Sequence, residues 1–150
     1  MPNLFGRLQR AWLAIRPSGA AGPAVAVRPA GILLVEDDVR VRRLLRDRLA
    51  AAGHLVVEVG TGWEALEAFA ASLPELVITD LRLPGMHGGE LIERMREQHP
   101  AVRVIAISGD LEGDVPALLM DAADRGAVRT LAKPFTTQQL LDAVDASLAA

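Results

Sequence analysis

The sequence predicts an α/β fold: a doubly wound, five-stranded parallel sheet with helices on both faces. Three observations predict it. From Gly31 onward, short apolar runs of strand length alternate with amphipathic segments of helix length. Gly53, Pro100 and Gly126 punctuate the junctions, just past the ends of helical patterns. Hydrophobic residues make up 51% of the 150 residues and aromatics only 3%, so the core must be aliphatic. Strands that alternate with helices pair in parallel, because each crossover returns the chain to the same edge of the sheet.

The elements follow in order. Ile32–Val35 is an unbroken apolar run, the pattern of a strand buried on both faces. Val39–Ala52 is a helix whose apolar face is Val41, Leu44, Leu45 and Leu49, stopped by Gly53. Leu55–Val59 is the second strand, and Gly62–Ser72 a helix with Leu66 and Phe69 inward. Leu76–Thr79 is the third strand. Glu90–Gln98 is a helix with Leu91, Ile92 and Met95 inward. Val102–Ile107 is the fourth strand, Val115–Arg125 the next helix and Ala127–Leu131 a weaker fifth strand. Thr136–Leu148 is the last helix, capped by Thr136 or Thr137.

Before this body lie residues 1–30, read as an N-terminal extension and a linker. Leu4, Leu8, Trp12 and Ile15 recur at helical spacing among Arg7, Arg10 and Arg16. Two readings stay open for residues 1–16: a membrane-surface or partner-binding helix, and a poorly ordered extension, since short isolated helices are marginal in water. Residues 17–30 are rich in Pro, Gly and Ala, a linker composition. Outside residues 1–16 nothing suggests a membrane, because no apolar run approaches the roughly 18 residues of a spanning helix. The net charge of −3 divides unevenly: residues 1–30 carry +4, and the remainder, with 12 basic and 19 acidic residues, carries −7. Such a body is not an obvious nucleic-acid binder. With no cysteine, disulfides and thiolate metal sites are excluded. That fits a reducing cytoplasm.

Right-handed crossovers place the C-terminal ends of all five strands on one rim, where open α/β sheets hold ligands. Glu36-Asp37-Asp38 follow the first strand, Asp80 the third, Ser108-Gly109 the fourth and Lys133-Pro134 the fifth. Clustered carboxylates repel one another and need a cation, and an oxygen-only set favours Mg²⁺. A carboxylate so placed can attack a phosphoryl group, while a lysine, a hydroxyl and the metal stabilise the charge on the transferring oxygens. Taken singly each part is ordinary: acids suit a helix N-terminus, and an Asp before Pro84-Gly85 suits a turn. The conjunction, in order and each at a strand end, points to phosphoryl chemistry centred on Asp80.

Four stretches carry a resemblance: Ile32-Leu33-Leu34-Val35-Glu36-Asp37-Asp38, Asp80-Leu81-Arg82-Leu83-Pro84-Gly85-Met86-His87-Gly88, Ser108-Gly109 and Lys133-Pro134-Phe135. Over residues 31–150 the chain resembles the response-regulator receiver domain of two-component signalling. The resemblance implies a flavodoxin-like sheet of strand order 2-1-3-4-5. It implies Asp80 as the phosphoacceptor, with Ser108 and Lys133 on the phosphoryl oxygens. Mg²⁺ is implied on Asp37, Asp80 and the Arg82 backbone carbonyl, with Glu36 helping directly or through water. A histidine kinase or histidine phosphotransfer protein is implied as the donor. The chain is expected to be a stand-alone, cytoplasmic receiver that passes its signal to a partner protein, and no enzyme beyond its own phosphorylation and dephosphorylation. Two departures stand out. Thr130 occupies the position three before the lysine where the family usually has an aromatic switch residue, and the stretch from Ser108 to Lys133 is about three residues longer than the family pattern leads one to expect. Arg82 and Asp110 are expected to flank the acyl phosphate and tune its lifetime.

Rival readings leave more unexplained. Gly60-Thr61-Gly62-Trp63-Glu64-Ala65 matches a dinucleotide fingerprint, with Asp80 at the distance of a ribose-binding acid. A haloacid-dehalogenase-like phosphatase wants a second Asp two residues after the first, and position 82 is Arg. A degenerate receiver acting as a phosphorylation-independent binding module draws on Thr130 but ignores the intact acids, Ser108 and Lys133. His54, His87 and His99 lack ligand spacing and read as surface or turn residues.

Overall fold

The structure, a computed structural model, describes residues 30–109 and 115–149. Five parallel strands form one sheet: β1 (Gly31–Val35), β2 (Leu55–Val59), β3 (Leu76–Asp80), β4 (Val104–Ser108) and β5 (Arg129–Ala132). Their order is β2-β1-β3-β4-β5, as expected of a flavodoxin-like sheet. The register pairs Val35 with Val59 and Thr79, Asp80 with Ile107, and Ser108 with Ala132, so the strand ends lie level along one rim.

Alternation along the strands divides the interior into two cores. Leu33, Val35, Val77, Val104 and Ala106 face one side, under Ala65, Ala68 and Phe69 of α2 (Gly62–Ser72) and Leu91, Ile92 and Met95 of α3 (Gly88–Gln98). Ala122 of α4 (Val115–Arg125) completes that layer. Ile32, Leu34, Leu76, Ile78, Ile105 and Ile107 face the other side. They meet Leu45 and Leu49 of the helix Val39–Ala51 (α1) and Leu140 and Val144 of the helix Thr137–Ala149 (α5). Phe69 is the one aromatic among the largest fully buried side chains, so the cores are aliphatic as the composition required. No helix among the described residues is long and apolar enough to cross a membrane.

Local hydrogen bonds move several boundaries from their expected places. β4 starts at Val104 rather than Val102, because the Val102 amide still closes a turn onto the His99 carbonyl at 3.0 Å. β5 starts at Arg129 rather than Ala127, because the Gly126 and Ala127 amides are bonded to the Ala122 carbonyl at the end of α4. α3 starts two residues early, at Gly88, because the His87 ring caps it by accepting the Gly89 amide. Thr136, not Thr137, caps α5: its hydroxyl accepts the Gln139 amide at 3.0 Å. Leu44, expected in the core, is half exposed, since α1 buries only the stripe through Leu45 and Leu49. Residues 1–16, most of the expected linker, and Asp110 lie outside the described residues.

Candidate functional site

Four of the five strands end by delivering a polar group to the rim. β1 runs into Glu36 and Asp37, β3 ends on Asp80, β4 ends on Ser108, and Lys133 follows β5. Glu36, Asp80 and Ser108 are buried and Asp37 is exposed. Lys133 ties the corner together: its Nζ donates to Asp80 Oδ2 at 2.7 Å and to Glu36 Oε2 at 3.1 Å. The other Asp80 oxygen, Oδ1, accepts the Arg82 amide at 2.8 Å. One carboxylate oxygen each from Glu36, Asp37 and Asp80 lie within 4.8 Å of one another. Asp38 plays a different part, with its Oδ1 capping α1 through the amides of Arg40 and Val41.

The backbone holds these groups in place. The Leu81 amide donates to the Ile107 carbonyl at 2.9 Å, and the Lys133 amide donates to the Ser108 carbonyl at 2.8 Å. The Lys133–Pro134 peptide bond is cis. Gly109 makes room for the lysine, since a Cβ there would stand 2.1 Å from Lys133 Cβ. The Ser108 hydroxyl is buried and has no hydrogen-bond partner among the described residues. A buried polar atom left unpaired is costly unless something else meets it.

Charge at this corner is unbalanced. Burial, then the neighbouring Asp80, push the Glu36 carboxyl from 4.5 up to about 7, against the opposing pull of Lys133. Burial works against the Lys133 ammonium, yet the hydrogen bond and charge of Asp80, with help from Glu36, hold its pKa above the usual lysine value. One ammonium is thus shared by two buried acids with a third alongside. An all-oxygen set with surplus negative charge fits a hard divalent cation such as Mg²⁺.

Comparison with known proteins shows the family. The family model described as "Response regulator receiver domain" matches residues 32–145. The chain belongs to the response regulator receiver domain family. Among curated relatives, the receiver is 38% identical over 117 residues to the C4-dicarboxylate transport transcriptional regulatory protein DctD of Pseudomonas aeruginosa. That match covers 78% of this chain and 25% of the relative. It is 32% identical over 113 residues to sporulation initiation phosphotransferase F of Bacillus subtilis, covering 75% of this chain and 89% of the relative. Among solved structures, a putative response regulator from Chloroflexus aurantiacus superposes with a TM-score of 0.73 at 35% identity, covering 81% of this chain and 99% of that one. The receiver domain of NtrX from Brucella abortus gives 0.74 at 30% identity, covering 79% and 98%. Receivers are phosphorylated by histidine kinases and generally bind Mg²⁺ at an acidic pocket. The acidic cluster is present here.

Glu36, Asp37, Asp80, Ser108 and Lys133 are therefore brought to one rim from four strand ends, as expected. At Arg82 the described contact is its amide on Asp80, and Arg82 itself pairs with His87 in a two-stranded ribbon, Arg82–Leu83 with Met86–His87. Thr130 lies exposed on β5, opposite Ala106. The dinucleotide-like stretch lies at the end of β2, an edge strand, with β1 between it and Asp80's strand. There Thr61 caps α2 by accepting the Glu64 amide, an ordinary strand-to-helix turn. His87 and His99 are exposed, as expected. His54 is not: it is buried, its Nδ1 accepts the Ala30 amide at 3.2 Å, and burial lowers its pKa. What sequence reasoning missed is the support around Glu36. Arg42 Nη1 donates to the Glu36 carbonyl at 3.0 Å, one turn and a half from an acid run that gave no hint of it.

Proposed function

We propose that Asp80 accepts a phosphoryl group from a phosphohistidine on a histidine kinase or a histidine phosphotransfer protein. The observation that carries this is the Lys133 bridge between Asp80 and Glu36, on the rim where the buried Ser108 hydroxyl has no hydrogen-bond partner among the described residues. In the step, an Asp80 carboxylate oxygen attacks phosphorus. The bond from phosphorus to the donor imidazole breaks, and the imidazole leaves with that electron pair. The product is an acyl phosphate on Asp80. Lys133 then pairs with a phosphoryl oxygen in place of the carboxylate charge it now meets, and Ser108 donates its O–H to another. The residues that would hold Mg²⁺ are Glu36, Asp37, Asp80 and the Arg82 carbonyl. When bound, the ion supplies positive charge opposite the transferring oxygens.

The covalent chemistry ends on the chain's own aspartate, so the domain turns over no other substrate, and an output partner reads the phosphorylated state by contact. Thr130 bears on that readout and not on the acceptor, because it lies on the exposed edge strand away from Asp80's hydrogen bonds. The proposal places the receiver at residues 31–150, with residues 1–30 as an extension, in the cytoplasm where such donors act.

Intact-mass measurement after incubation with acetyl phosphate and Mg²⁺ tests the assignment. The expected result is one phosphoryl adduct on the wild-type chain, lost in Asp80→Asn and lost with EDTA. An adduct of equal yield on Asp80→Asn would overturn Asp80 as the acceptor.

A further inference from the structure

The Glu36 backbone is held on both sides of its Cα. Its amide donates to the Val59 carbonyl at the end of β2, at 3.1 Å. Its carbonyl accepts Arg42 Nη1 at 3.0 Å. Arg42 stands on the second turn of α1, whose cap is Asp38, so its guanidinium reaches back over the turn that carries Glu36, Asp37 and Asp38. The direction is the usual one for a long helical side chain, which leans toward the N-terminus.

Arg42 is held from the far side as well. Its Nε lies 3.9 Å from Glu58 Oε2, an ion pair too long to be a hydrogen bond. Glu58 Oε1 is bonded to Arg46 Nη1 at 3.1 Å. Both charges of the Arg42–Glu58 pair are mostly covered, at 20% and 25% side-chain exposure. Gly60 leaves the space: a Cβ there would stand 2.7 Å from Arg42 Nη1 and 3.9 Å from the Glu36 carbonyl oxygen. A helix, a strand end and a glycine turn thus meet on one backbone carbonyl, the one that begins the acid run.

Holding the Glu36 carbonyl orients the peptide between Glu36 and Asp37, and with it the directions in which both carboxylates leave the backbone. The ion pair with Glu58 limits where the Arg42 guanidinium can swing.

We infer that Arg42 is a positioning residue for the Glu36–Asp37 pair. This rests on the proposed Mg²⁺-dependent acceptor role of the same rim. Arg42 touches no reacting atom; it acts through the Glu36 backbone. Groups that orient metal ligands from behind typically change metal affinity by roughly tenfold or more when removed.

The test is calorimetric titration of Mg²⁺ into the full chain, beside acetyl-phosphate labelling at limiting and saturating Mg²⁺. Arg42→Ala is expected to weaken Mg²⁺ binding by roughly tenfold. Its labelling rate should recover toward the wild-type value at saturating Mg²⁺, and Arg42→Lys, which keeps one donor, should fall between. Gly60→Ala guards against a folding defect in Arg42→Ala. The added methyl clashes only with the flexible end of Arg42 and makes ordinary contact with the Glu36 carbonyl, so it should displace the guanidinium in a folded chain and reproduce the weakened binding. A wild-type chain that binds Mg²⁺, beside folded Arg42→Ala and Gly60→Ala chains that bind it within about twofold, overturns the inference alone. A wild-type chain that binds no Mg²⁺ overturns the functional reading, and the inference with it.

Discussion

The ends of β1 and β3 and the strand β5 belong to one hydrogen-bonded sheet, yet they are built differently. Every residue of β1, β3 and β4 is buried. On β5, Arg129, Thr130 and Ala132 are exposed and Leu131 is half-buried. The central strands have helices over both faces and neighbours on both edges, whereas β5 is last in the order and pairs only with β4. Polar groups at the central strand ends therefore sit in a medium of low dielectric, where a single ammonium governs two acids and one carboxyl titrates near neutrality. At the edge, water screens whatever the sequence places there. The contrast separates a buried corner, where packing sets the electrostatics, from a strand open to solvent.

Removing the lysine attacks the central corner most directly. Lys133→Ala leaves Glu36 and Asp80 without their shared cation and is expected to slow phosphorylation by acetyl phosphate by roughly 10²-fold, measured as the rate of adduct formation. If the rate stayed within a few-fold, the corner would not depend on its ammonium and the contrast with the edge would lose its basis. Paired substitutions sharpen the packing side of the comparison. Leu81→Ala, at a fully buried position directly after Asp80, should cost about 2–5 kcal/mol in urea unfolding. Thr130→Ala on the exposed edge should stay within about 0.5 kcal/mol.

A further effect is graded with pH. Glu36 holds its proton more tightly when folded, with its pKa up at about 7 from 4.5. In the metal-free chain that contribution to stability is fully present below pH 4.5 and is lost as pH rises through about 7, at no more than about 1.4 kcal/mol per pH unit. Because bound Mg²⁺ requires the carboxylate, metal affinity should climb over the same window. Calorimetric titrations at pH 6 and pH 8 check this, and Glu36→Gln should flatten the dependence. An unchanged dependence in that variant would assign the titration to another group.

Much of this was legible in the residues themselves. Apolar runs of strand length followed at once by an acid, a serine or a lysine located Glu36, Asp80, Ser108 and Lys133 at strand ends, because a buried strand has to surface where its apolar run stops. The boundaries at Val104 and Arg129 were not legible. They depend on which turn amides the preceding helix retains, and periodicity does not report that. His54 looked like a turn residue, and its burial is decided by the Ala30 amide 24 residues away. Arg42 is one of five arginines in α1, and only the folded chain distinguishes it from Arg40 and Arg43, which are exposed.

By itself, then, the sequence determined the alternation of strands and helices, the aliphatic core and the residue types that reach the rim. Each of these follows from local pattern: side-chain period and the connection a parallel strand needs. Tertiary structure decided which of those groups share a proton or a cation. Lys133 reaches Glu36 across 97 residues of chain, and Glu36 is shifted because burial and Asp80 act on it together. Electrostatic coupling falls with distance in space and grows with exclusion of water. Neither quantity is written along the chain until the sheet has brought its strands side by side.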